Sequence, residues 1–296
     1  MKAERINLPS GGFSISERIQ INRIVWIRSL PECEHGPSNR MVEDLMALEP
    51  TGGIQVELFS PQTVEECLSL IEEMSLRARE GLRPLIHFDC HGSEYGLALE
   101  NGETLDWDTL AAALRTLNVE TRNNLICVLA ACFGLNFGKV LSLSKPTPWY
   151  IMIAPEEQIL IGDLEQKTRP FYESLLTTGS ITRAFQTKLE PQMQMFNCQV
   201  LFAKGIAVYV KNHASGKALQ ERREKLLTQV MASRRASGRP IPLRVARSLV
   251  KTGLKPGQKV IDHFAPRFLI GRRPAVDYKD IQRIVSKTKA SSQTTI

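Results

Sequence analysis

Short apolar runs alternate with longer amphipathic stretches from residue 23 to residue 210. The run 23–30 is continuously apolar at its centre and predicts a buried strand. Ser38 is expected to cap a helix over 40–48, closed by Pro50 and the Gly52-Gly53 pair. Residues 54–59 alternate with period two and predict the next strand. Thr63-Val64-Glu65-Glu66 has the form of a capping box and opens a helix to Glu80, which Gly81 stops. A strand then runs to His91. The stretch 95–105 carries Asn101-Gly102 at its centre and predicts a β-hairpin. Asp106 or Asp108 opens a helix through Leu117, and a strand follows to Cys132. Residues 150–154 predict another strand, 165–176 and 180–189 predict helices, and the runs 199–202 and 206–210 are expected to close the sheet.

Strand–helix alternation with continuously apolar strands predicts the α/β class, a mostly parallel sheet with helices on both faces. Functional groups on such sheets gather at the carboxyl ends of the strands. The pattern changes after residue 210. Residues 214–236 form a helix candidate with little apolar periodicity, broken by Pro240 and Pro242. Shorter helices are expected over 243–250 and 277–285, with a polar, frayed end over 287–296. The chain is thus expected to divide into residues 1–210 and a mainly helical extension, 211–296.

Charge supports the same division. Residues 1–210 hold 18 Lys+Arg and 26 Asp+Glu, a net of −8, whereas 211–296 hold 20 and 5, a net of +15. No stretch approaches the roughly 20 apolar residues of a membrane span. The start lacks the charged-then-apolar form of a signal peptide, so a cytoplasmic protein is expected. None of the six cysteines pairs as CxxC, which suits a reducing compartment. No metal is expected: His87 and His91, four apart on a strand, lie about 13 Å from each other. No cofactor is expected either, because Gly11-Gly12 and Gly52-Gly53 fit neither the P-loop nor the dinucleotide pattern.

Two strand ends carry the chemistry. Residues 83–92 form a mostly apolar run ending on Cys90-His91-Gly92, and 124–134 form one ending on Ala130-Ala131-Cys132-Phe133-Gly134. Neighbouring strands with these ends set an imidazole beside a thiol, the pairing that nucleophilic cysteine chemistry requires.

This pattern resembles CHAT domains, caspase-like cysteine peptidases of the caspase, legumain and separase group. The resemblance covers about 23–210. It also includes the hairpin after His91-Gly92 leading to the helix after Trp107, and the late pair Phe171-Tyr172-Glu173-Ser174-Leu175 and Ala184-Phe185. It implies a caspase-like fold with Cys132 as nucleophile, His91 as general base, and the backbone N–H groups of Gly92 and Cys132 as oxyanion hole. It further implies a protein substrate, an activating protein partner, and a role in bacterial defence or cell death. Two positions depart from relatives: Ala131 replaces an Asp before the nucleophile, and Ala130 replaces the caspase Gln, which puts caspase-type selection of Asp in doubt.

Asp89, on the same strand face as His91, and Glu32 and Glu34 in the polar loop 31–37 are candidate substrate-binding carboxylates; any of them would favour Arg or Lys at P1. His87 is expected in the core and His35 in a solvated loop. Cys132 has a second reading as an ordinary buried cysteine. A catalytically inactive scaffold, with a basic tail for nucleic acid or an acidic partner, is the alternative to the peptidase.

Overall fold

A computed structural model describes residues 20–48, 54–213, 216–254 and 257–291. The first elements are β1 (Arg23–Ser29), a 3-10 turn (Glu32–Glu34), α1 (His35–Met46), β2 (Gln55–Phe59), α2 (Val64–Arg79), β3 (Pro84–Gly92), β4 (Gly96–Ala98), β5 (Thr104–Asp106) and α3 (Trp107–Glu120). They are followed by β6 (Ile126–Ala130), a second 3-10 turn (Gly134–Val140), β7 (Ile151–Pro155), α4 (Ile161–Thr178), α5 (Ile181–Lys188) and β8 (Met193–Asn197). The helices α6 (Cys198–His213), α7 (Gly216–Ala236), α8 (Leu243–Gly253), α9 (Gln258–Phe268) and α10 (Tyr278–Ser291) complete the chain.

The strands form one mixed sheet of order β2-β1-β3-β6-β7-β8, with β4 and β5 as a small hairpin on the end of β3. Every pair from β2 to β7 is parallel; β8 is antiparallel to β7. The central strand β3 buries every residue from Pro84 to Cys90, as a parallel strand covered on both faces does. One face, with Val25, Ile27, Ile86, Phe88, Cys127 and Leu129, packs on Ile71 and Met74 of α2 and Leu110 and Leu114 of α3. On the opposite face His87 meets Tyr172 of α4, so helices cover both sides.

Helix starts follow local chemistry. Thr63 Oγ1 accepts from the Glu66 N–H, while Glu66 Oε2 accepts from the Gln62 N–H at 2.7 Å. Asp106 caps α3 by accepting from the Thr109 N–H. Gly102, at φ +87°, turns the hairpin in the left-handed conformation that glycine adopts without a Cβ penalty.

Three local expectations change. The run 199–210 is not a strand pair; it lies within α6. Its buried positions are Cys198, Gln199, Phe202, Ala203, Ile206, Ala207 and Val210, a period near 3.6 that a run apolar on nearly every side had masked. The sheet instead closes on β8, at 193–197. Ser38 does not cap α1 but lies buried inside it, because the helix already begins at His35. The expected stops at Pro50 and Gly52-Gly53 lie outside the described residues, as does the end of the chain beyond Ser291.

The described chain divides into two compact units. One is the α/β unit, the described residues from 20 to 198 with 267–272; Asn123 Nδ2 donates to the Leu269 carbonyl at 3.0 Å, and the Arg272 guanidinium lies 4.3 Å above the Tyr150 ring. The other takes in the described residues of 199–266 and 273–291. Within it α7 and α8 enclose a small core of Leu227, Ala246 and Val250. Among the described residues no helix is long and apolar enough to cross a membrane.

Candidate active site

The order of the sheet sets the site. From β1 the chain moves outward to β2, then returns past β1 to β3, so direction reverses between β1 and β3. A crevice opens at the carboxyl ends of strands at such a reversal. Register then sets two strand ends side by side. β3 and β6 pair in parallel up to Asp89 opposite Ala130, and His91 and Cys132 each lie two residues beyond that last pair, His91 where β3 goes on to pair with β4 and Cys132 in the turn after β6. Adjacent strands lie about 4.8 Å apart, and residues two apart share a face.

His91, Cys132, Asp89 and Glu34 all line one cavity of about 400 Å³. Its walls come from the segments that follow β1 (Leu30, Cys33, Pro37), β6 (Ala130) and β7 (Ile159, Ile161), all at strand carboxyl ends. Glu32 lies in the 3-10 turn before α1 and does not line the cavity. Cys132 is partly exposed, whereas Cys67, Cys90, Cys127 and Cys198 are buried; Cys33 is exposed. Burial pushes the Cys67 thiol up to about 12 and raises Cys90 and Cys127 further from reactivity.

His91 has an acidic partner. Its Nε2 lies 2.9 Å from Glu34 Oε2, with the side chains 57% and 46% exposed. An ionised carboxylate only accepts, so Nε2 carries the proton and Nδ1 is the basic nitrogen. At this exposure the pair orients the ring and adds little to stability.

The two strand ends touch through backbone. A Cβ on Gly92 would lie 2.2 Å from the Cys132 carbonyl oxygen and 3.0 Å from the Cys132 nitrogen. A side chain at Gly92 would therefore strike the Cys132 backbone. Immediately after Cys132, Phe133 adopts φ +58°, left-handed for a residue with a Cβ, and its N–H donates to the Glu157 carbonyl at 3.2 Å. Such strain costs of order 1–3 kcal/mol and clusters at functional sites. Here it falls in the turn after β6, so the strand expected to reach Cys132 stops at Ala130 and Cys132 lies in that turn. Among the described residues the Cys132 N–H has no protein acceptor.

A buried polar layer adjoins the cavity at Asp89. The Trp26 indole stacks on His87 with centroids 3.7 Å apart, and its Nε1 donates to Asp89 Oδ2 at 3.2 Å. Tyr172 Oη is 2.9 Å from His87 Nδ1. Burial holds the His87 imidazole down at about 3 and raises the Asp89 carboxyl above the usual carboxylate range. His87 is thus a neutral core residue, and His35, partly buried, anchors the first turn with Nε2 2.8 Å from the Leu30 carbonyl oxygen.

Sequence reasoning missed Trp26 and the segment 156–161. The register Trp26↔His87 and Arg28↔Asp89 would have exposed the first, had the pairing of β1 with β3 been known. The second follows a parallel strand's carboxyl end and carries the apolar run Ile159-Leu160-Ile161, a signal legible without coordinates. Among the described residues no group of three or more His, Cys, Asp or Glu is placed to hold a metal ion. No protein-family model matches the chain, and no curated protein matches it.

Proposed function

We propose that this chain is a caspase-like cysteine endopeptidase of CHAT type, acting through Cys132 and His91. The observation that supports the reading is the shared cavity: His91 and Cys132 both line it, each just beyond the Asp89↔Ala130 pair that ends the β3–β6 register. His91 Nδ1 takes the Cys132 proton, and the thiolate attacks the scissile carbonyl. The N–H of Cys132, with that of Gly92, receives the oxyanion. The tetrahedral intermediate collapses to a thioester as His91 protonates the leaving amine, and water, deprotonated by His91, completes hydrolysis. Glu34 fixes the imidazole tautomer throughout. The resemblance extends the proposal to a regulated effector in bacterial defence or cell death, switched on by a protein partner.

The test is brief iodoacetamide treatment near neutral pH in a Cys33→Ser background, read by peptide mass spectrometry, with and without His91→Ala. Selective labelling of Cys132 that falls with His91→Ala is expected. Labelling indifferent to His91 favours the inactive scaffold.

A further inference from the structure

We propose that the 400 Å³ cavity beside Cys132 receives a basic P1 side chain, Lys or Arg, with the Asp89 carboxylate as its charge partner. The inference rests on the peptidase reading and adds the substrate class. Three carboxylates were equivalent in sequence; the structure separates them. Glu32 is outside the cavity, and Glu34 is engaged by His91. Asp89 is 2% exposed and lines the cavity from its floor, one pleat deeper than His91 on the same face of β3.

A buried carboxylate needs compensation, and the groups around Asp89 offset its burial only in part. Trp26 Nε1 supplies one neutral hydrogen bond, to Oδ2. Arg28, the cation opposite Asp89 in register, donates from its terminal nitrogens to Asn39 Oδ1 and Ser60 Oγ and acts on Asp89 as a nearby charge without pairing to it. Burial consequently raises the Asp89 carboxyl, against the smaller pulls of Ser38, Trp26, Arg28 and His91. An arriving ammonium or guanidinium would restore the charged form through charge-assisted hydrogen bonds.

The walls suit the rest of such a side chain. Leu30, Pro37, Ala130, Ile159 and Leu164 offer apolar surface to an aliphatic stem, and no lysine or arginine lines the cavity. An acidic P1 residue would meet Asp89 and Glu34 with like charge. The neighbouring cavity, about 410 Å³, shares Ile159 and adds Glu156, Glu157 and Asp163, again without a lining cation. The acidic character therefore continues along the surface from the first cavity.

The experiment uses the full chain and peptidyl chloromethyl ketones that differ only in P1: Arg, Lys, Leu or Asp. The readout is the rate of Cys132 modification by mass spectrometry. The Arg and Lys probes should label at least about 10-fold faster than Leu and Asp, the range of one charged hydrogen bond. Asp89→Asn should bring the four rates within about threefold of one another. Ile161→Lys, a rim substitution that leaves the buried layer untouched, should slow only the basic probes. Equal or faster labelling by Leu or Asp probes, or no labelling by any, overturns the subsite if iodoacetamide still selects Cys132. Failure of iodoacetamide to select Cys132 overturns the peptidase reading and the subsite together.

Discussion

Gly92→Ala tests whether the contact between two strand ends builds the site. The added Cβ would stand 2.2 Å from the Cys132 carbonyl oxygen, where real Cβ atoms keep at least 3.0 Å. The strands must part by about 0.8 Å, and the obstacle is backbone, so no side chain can swing aside. Overpacking of this kind costs about 1–3 kcal/mol. In a chain of this size each kcal/mol lowers Tm by roughly 2–4 °C, so a fall of about 2–12 °C is expected by calorimetry. The same displacement moves Cys132 against His91, and a misplacement near 1 Å can cost about 100-fold in reaction rate. Selective labelling of Cys132 should therefore drop far more than stability does. Gly96→Ala supplies the control: its Cβ would meet the Leu105 carbonyl oxygen at the same 2.2 Å, but Gly96 does not line the cavity. It should lower Tm comparably and leave Cys132 reactivity within about threefold. A Gly92→Ala protein with unchanged Tm and unchanged labelling would refute the close approach of β3 to Cys132.

His87 makes stability depend on pH. Its folded value of about 3 lies below the ordinary 6.5, so below pH 6.5 the unfolded chain takes up a proton that the folded chain refuses. Stability is fully present above pH 6.5 and is lost as pH falls toward 3, by about 2–3 kcal/mol at pH 4.5. Asp89, shifted upward, works in the opposite sense. Urea unfolding of wild type and His87→Phe at pH 6.5 and 4.5 isolates the histidine: the variant should lose this pH dependence, and an equal decline in both proteins would contradict a buried neutral His87. Glu34→Gln tests the pair with His91. Gln keeps an acceptor but removes the charge, so the wild-type labelling rate of Cys132 at low salt should fall severalfold in the variant. Added salt should narrow the difference, because the pair is half exposed; a rate unchanged at every salt concentration would make it a surface contact only.

Much of this protein is written locally. Continuous apolar runs bounded by turn residues determine the strands, and a parallel strand buried on both faces has few other sequences open to it. Thr63 and Asp106 place helix starts because their side chains bond backbone N–H groups three residues on. The α/β class and the place of His91 near the end of β3 were legible for this reason, whereas the strand expected to run to Cys132 ends at Ala130. Tertiary structure decided what depends on partners. Residues 199–210 read equally as strands or as a buried helix, since periodicity fades when nearly every position is apolar. Only the structure showed that β8 closes the sheet and that α6 follows it. The three candidate carboxylates could not be ranked in sequence either. Pairing of β1 with β3 aligns Arg28 with Asp89, whereas the turn after β1 brings Glu34 to His91. These relations join residues 61 and 57 positions apart in the chain, and a contact between distant segments leaves no periodic trace in either one.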